Sequence, residues 1–189
     1  QVLNNPSTGD AFNGGATLTQ DLNSTGNVFG SSGATNTIIF ASGSTFIQNA
    51  GSNPFGLGQP SSKVNFQAGS LFKIQQNAAP SFSGRTYANL EINFATFSQS
   101  AVGANPLNID NLTITLGVLN LNLTGTFNIK GNISVAAGQT LTFTPAASST
   151  LTFNGTSPQS ITNAGTLTFG ANENVAINNS NGVTLNNSI

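Results

Sequence analysis

Apolar residues recur in pairs at i and i+2 along most of the chain, with Thr, Asn, Ser, Lys or Ala between them. The clearest run is Leu107/Ile109, Leu112/Ile114, Leu119/Leu121, Phe127/Ile129, Ile133/Val135, Leu141/Phe143, Leu151/Phe153, then Ile161, Leu167/Phe169, Val175/Ile177 and Val183/Leu185. Each pair reads as a short strand with one buried face. No window places apolar residues at i, i+3, i+4 and i+7, so no helix is expected.

The spacing narrows the fold. From Leu107 to Val183 the pairs recur in steps averaging roughly 7.6 residues, with Gly or Pro between them. Sandwich hairpins take turn signals every 8–12 residues or so. Shorter steps suit a coil of three strands, about 23 residues long. The expectation is an all-β chain forming a right-handed parallel β-helix (β-solenoid) of about eight coils, a rod roughly 40 Å long at the usual interstrand spacing. A β-sandwich is the alternative.

Before residue 107 the alternation is less regular. Ile38/Phe40, Phe46, Val64/Phe66, Phe72/Ile74 and Leu90/Ile92/Phe94 read as strands, and the Gly/Pro/Ser-rich stretches starting at Asn49, Gln75 and Ser98 read as loops bulging from the solenoid. No linker interrupts the chain. One domain, 1–189, is expected, with irregular loop-rich coils in 1–106 and regular coils in 107–189.

Composition then limits the chemistry. The 189 residues include no Cys, His, Met or Trp, only four Lys+Arg against five Asp+Glu, and a net charge of −1. Asn (28), Thr (23) and Ser (21) make up more than a third of the chain. Metal sites built on His or Cys, imidazole or thiol catalysis and disulfides are therefore excluded. Four scattered cations make no phosphate-binding stripe, so no nucleic-acid partner is expected. No apolar run is long enough for a membrane-spanning helix. The chain starts at Gln1, which suggests a secreted chain whose signal peptide has been removed, or a fragment. The expected location is extracellular, at a cell surface.

The C-terminal half resembles repeat regions of large secreted surface proteins from Bacteroidetes and Chlorobi-type bacteria. The residues that carry this likeness are Leu151-Thr152-Phe153-Asn154-Gly155, Gln159-Ser160-Ile161, and the segment from Ala176 to Ile189. A looser copy starts at Ala88, so the likeness spans roughly 88–189. It implies a β-helix-like repeat in an adhesive or structural surface protein, and no active site.

Natural solenoids cap their ends, because the terminal strands otherwise leave backbone groups unpaired. Neither end of this chain shows a capping helix. A complete chain would then present open edges that accept another copy head to tail. The expected function is a non-enzymatic extracellular structural protein, the subunit of a self-assembling filament or stalk, with itself as the partner. Val183, Leu185, Ile189, Val2 and Leu3 are the candidate assembly edge. Phe55 and Phe82, inside Gly/Pro loops, are candidate anchors on a neighbouring subunit. An adhesin or an ice- or surface-binding module is the alternative, with surface glycans as a further partner.

The polar residues carry two weaker signals. Thr-x-Thr recurs more often than composition predicts, which offers an outward Thr face made of Thr113, Thr115, Thr140, Thr142, Thr150, Thr152, Thr166 and Thr168. Spacings from Thr113 scatter these over different faces, and plain β-propensity also explains them. The acids Asp10, Asp21, Glu91, Asp110 and Glu173 are far apart in sequence. Arg85, Glu91 and Asp110 form the one conceivable glycan-active trio, and isolated solvated charges are the simpler reading. Catalytic residues, metal ligands and cofactors are expected to be absent. The seven Asn-x-Ser/Thr sequons match composition and carry no glycosylation signal.

Overall fold

The structure, a computed structural model, describes residues 10–78 and 81–187. In chain order the strands are β1 (Asp10–Phe12), β2 (Thr17–Gln20), β3 (Ile38–Phe40), β4 (Thr45–Gln48), β5 (Val64–Phe66), β6 (Leu71–Ile74), β7 (Thr86–Gly103) and β8 (Leu107–Leu123). There follow β9 (Thr126–Ile129), β10 (Ile133–Val135), β11 (Thr140–Phe143), β12 (Ser149–Phe153), β13 (Gln159–Asn163), β14 (Thr166–Phe169), β15 (Glu173–Ile177) and β16 (Val183–Asn186). Every pairing among them is parallel. The fold is an all-β parallel β-solenoid of about 7 turns, so the sandwich alternative fails. Among the described residues there is no helix, hence none long and apolar enough to cross a membrane.

Three faces run along the rod. The first carries β1, β3 and β5, then the starts of β7 and β8, then β9, β12 and β15. The second carries β2, β4, β6, the middles of β7 and β8, then β10, β13 and β16. The third is made by the ends of β7 and β8, then β11 and β14. Register sets the coil length. It falls from 28 residues (Thr17 to Thr45) to 18 (Leu71 to Asn89) and returns to 28 between Ile133 and Ile161.

In-register parallel pairing stacks like on like. On the second face one inward column reads Leu18, Phe46, Phe72, Leu90, Leu112, Ile133, Ile161 and Leu185. On the first, Phe12 stacks on Phe40 (centroids 4.5 Å apart), Phe40 on Phe66 (5.0 Å) and Phe66 on Tyr87 (6.2 Å). Burying each such side chain stabilises by about 1.5–3 kcal/mol. The outward positions form ladders, with Asn111 Nδ2 donating to Asn89 Oδ1 at 2.6 Å and Asn128 Nδ2 to Asn108 Oδ1 at 2.9 Å. The abundance of Asn thus has a structural use: each coil hydrogen-bonds its neighbour through side chains as well as backbone.

Several expectations change. The stretch from Ser98 is no loop, since Ser98–Gly103 continues β7 and pairs with Val118–Leu123. Phe94, expected inside, is 36% exposed, and Phe97 fills the core in its place at 1%. The register shifts between Ile92 and Ser98 account for this, because extra residues in one strand reverse which side chains point inward.

The Gly/Pro-rich stretches of the first coils are also no insertions: they form the coil's third side without a strand. Asn27-Val28-Phe29-Gly30 and Asn53-Pro54-Phe55-Gly56 repeat the same turn one coil apart. In each, the Asn Oδ1 accepts from the Phe backbone N–H two residues on, at 2.9 Å, and the Gly has φ of +77°. Asn27 Nδ2 then donates to Asn53 O at 2.8 Å, joining the two turns.

Candidate functional site

β14, β15 and β16 form the last coil of the described residues. Among the described residues each of these strands pairs on one side only, with β11, β12 and β13 respectively. Their other edges present unpaired N–H and C=O groups, the template that another strand completes. The inward columns stop here, so their last side chains are uncovered: Val175 is 45%, Ile177 59% and Leu185 48% exposed. Of the expected edge residues, Leu185 is therefore accessible, while Val183 is half-buried against the core. Val2, Leu3 and Ile189 lie outside the described residues. Val175 and Ile177 belong to this surface and were not expected there. They follow from register, since they end the columns of Leu151 and Phe153.

Glu173 opens β15 beside this apolar surface. Burial pushes its carboxyl above the ordinary value, partly offset by hydrogen bonds from the Ser149 hydroxyl and the Leu151 backbone. Its Oε1 is buried without a hydrogen-bond partner among the described residues.

At the other end, among the described residues, β1 and β2 each pair on one side, with β3 and β4. Phe12 and Leu18 end their columns and are half-buried. Asp10 occupies the inward register of Ile38 and Val64. A charged residue thus heads an otherwise apolar column.

The Thr residues do not form one face. Thr113 and Thr115 lie on or beside the second face, Thr150 and Thr152 on the first, and Thr140, Thr142, Thr166 and Thr168 on the third. Only the last four stack, as Thr140 on Thr166 and Thr142 on Thr168. Several are occupied within the rod: Thr142 donates to Asn120 Oδ1 at 2.7 Å and Thr115 to Glu91 Oε1 at 2.9 Å. Thr152 is 9% exposed.

Phe55 and Phe82 are not intersubunit anchors. They are 1% and 2% exposed and both pack on Tyr87, with centroids 5.1 and 5.9 Å away. A Phe in a long loop finds apolar cover inside its own coil, because the loop is the coil's third side.

That same corner holds two cations buried without carboxylates. Lys63, fully buried, donates from Nζ to Phe29 O at 2.5 Å and lies under Gly33 and Gly56. Arg85, 3% exposed, lies over the Phe55 ring at 4.8 Å. Its Nε donates to Ser81 Oγ (3.3 Å), one terminal nitrogen to Ser61 O, and the other to Leu57 O (2.8 Å). Burial lowers its pKa, and the Tyr87 phenol opposes that shift. Tyr87, itself fully buried, has its pKa raised well above the ordinary value by the same desolvation, with Arg85 acting the other way. The Tyr87 hydroxyl donates to Ser81 O at 2.6 Å.

The trio of Arg85, Glu91 and Asp110 is not assembled by hydrogen bonds or ion pairs. Glu91 lies on the second face, bonded to Lys73 at 3.2 Å and to Asn93 and Thr115, while Arg85 is committed to the corner loops. Among the described residues no three acidic side chains cluster as metal ligands do.

No family model, curated protein or solved structure matches this chain. The functional features are therefore those the rod itself displays. Two parts were missed from the sequence: Val175 and Ile177 at the apolar end, and the cationic corner. The repeat of Asn-x-Phe-Gly at residues 27 and 53 was the available signal for the second.

Proposed function

We propose that this chain is a non-enzymatic extracellular structural protein that assembles head to tail into a filament or stalk. The observation that carries the reading is the open apolar end, where Val175, Ile177 and Leu185 stand exposed beside unpaired strand edges. The occupant proposed is the β1/β2 end of a second copy. Continuing the register would set Leu185 over Leu18 and Ile177 over Phe12, apolar on apolar, and Val175 over Asp10, with parallel backbone pairing unbroken. Such a contact is heterologous and propagates. The near-neutral chain, with a net charge of −1, adds little repulsion between copies. The resemblance of residues 88–189 to secreted bacterial surface repeats supports the same setting.

The adhesin and ice-binding alternatives draw less support. Their Thr pairs lie on three faces, and only two coils stack in register.

Electron microscopy of the purified chain, with light scattering alongside, tests the proposal. Uniform fibres with an axial repeat of about eight strand spacings, roughly 38 Å, are expected. A monodisperse monomer across accessible concentrations would overturn it.

A further inference from the structure

A cleft of about 380 Å³ opens beside β5, between the turn at Asn36, the segment 60–62 and the start of β7. Arg85 and Phe55 form its floor, and Asn36, Ser62, Asn65 and Thr86 contribute to its walls. We propose that this cleft binds a hydroxylated carboxylate, of the sugar-acid (uronate) class, with Arg85 as the anion-binding residue.

A buried cation is costly unless paired or fully hydrogen-bonded. All five acids of the chain are described residues, none lines the cleft, and the Lys73–Glu91 ion pair lies elsewhere. Arg85 is 3% exposed and has no carboxylate partner.

Its hydrogen bonds define what remains. A guanidinium carries five N–H donors, and three are used: Nε on Ser81, one terminal nitrogen on Ser61 and the other on Leu57. One N–H on each terminal nitrogen is left. Two donors on one planar guanidinium can meet the two oxygens of a carboxylate. The Phe55 ring at 4.8 Å holds the guanidinium plane in place.

The walls indicate the rest of the ligand. They are hydroxyls and amides, from Ser62, Thr86, Asn36 and Asn65, which can both donate to and accept from vicinal hydroxyls. The volume lies at the small end of ligand sites, about 300–1,000 Å³, and suits one or two sugar rings. This site does not depend on filament assembly, since it lies on the side of the rod rather than at its ends.

Titration calorimetry of the full chain with sodium glucuronate, glucose and inorganic phosphate tests the assignment. Glucuronate is expected to saturate a single site, with Kd near ~1 mM, as one charged anchor with a few hydrogen bonds affords. Glucose, which lacks the carboxylate, is expected to bind at least about tenfold more weakly. Asn65→Glu places a carboxylate at the half-exposed wall and should abolish binding without disturbing the core. Arg85→Lys keeps the charge, loses the fork and should weaken glucuronate about tenfold. Circular dichroism on each variant confirms the fold. Equal binding of glucose and glucuronate, preference for phosphate, no saturation by glucuronate, or unchanged affinity in a folded Asn65→Glu would each overturn the proposal.

Discussion

Leu18 and Leu185 terminate the same inward column of the second face. Six residues, Phe46, Phe72, Leu90, Leu112, Ile133 and Ile161, stand between them in unbroken register. Leu18 is half-buried, and Leu185 is 48% exposed. One face of the rod therefore starts and ends on the same side chain, so the head-to-tail stacking proposed above would continue the column from copy to copy.

Leu185→Lys tests that junction. The residue is exposed in the single chain, so its unfolding free energy should change by no more than about 0.5 kcal/mol. Each assembled contact would lose an apolar burial of about 1.5–3 kcal/mol. The concentration for assembly, followed by light scattering, should rise at least about tenfold. A variant that assembles as readily as the parent would place the junction elsewhere.

The aromatic stack gives a stability prediction. Phe40 is fully buried and stacks on both Phe12 and Phe66. Phe40→Ala should cost about 3–5 kcal/mol in denaturant unfolding. Phe94→Ser removes a residue that the strand irregularity already turns outward, and should cost less than about 1 kcal/mol. Similar losses for both would contradict the placement of Phe97 in the core.

Two glycines separate backbone strain from lack of space. Gly51 has φ +81°, and a Cβ there would lie 2.6 Å from Gly26 O and against the Gln20 side-chain amide; Gly138 has φ +74° with nothing near. Gly138→Ala should cost about 1 kcal/mol from the left-handed backbone alone. Gly51→Ala should cost distinctly more, because it also disrupts the buried Gln20, whose Nε2 donates to Gly26 O at 3.1 Å. Thermal unfolding of the two variants gives the comparison.

Glu173 predicts a pH dependence. Its folded pKa is raised above the ordinary carboxyl value of 4.5, first by desolvation. As pH rises past 4.5 the unfolded chain releases this proton before the folded one does, so the folded state loses stability through that window. Above the folded value the loss is complete. Glu173→Gln should flatten this part of the profile, measured by denaturant midpoints between acid and neutral pH. A steeper fall in the Gln variant would reverse the sign of the argument.

The regular half of the rod was legible because its physics is local. Leu141 and Phe143 alternate with Thr, and period-two alternation bounded by Gly specifies a strand whatever it pairs with. Stacking then follows, since Leu119, Leu141 and Leu167 recur at coil spacing. The third side of the first coils was not legible by that rule. Phe29 and Phe55 are single inward residues held by Asx turns, with no alternation around them. Phe94 was misplaced because strand irregularity breaks the period without any change of composition. The cationic corner depends on contacts such as Arg85 with Leu57, 28 residues apart, which only the coil register brings together. The open end required knowing which residues finish the columns, and Val175 looks like any other strand valine until its neighbours are known.

The coil register also gives the rod a mechanical character. Backbone hydrogen bonds in this solenoid run between coils, along its axis, and so do the Asn ladders. Tension along the axis is carried by every junction in series, so the weakest coil gives way first. A terminal coil can peel away while the rest stays wound. The coil between Thr45 and Leu71 spans 26 residues, so its release pays out roughly 90 Å of extended chain. Sideways shear must instead break all the bonds of a face at once. The rod is thus expected to yield coil by coil under axial tension and to resist shear across a whole face.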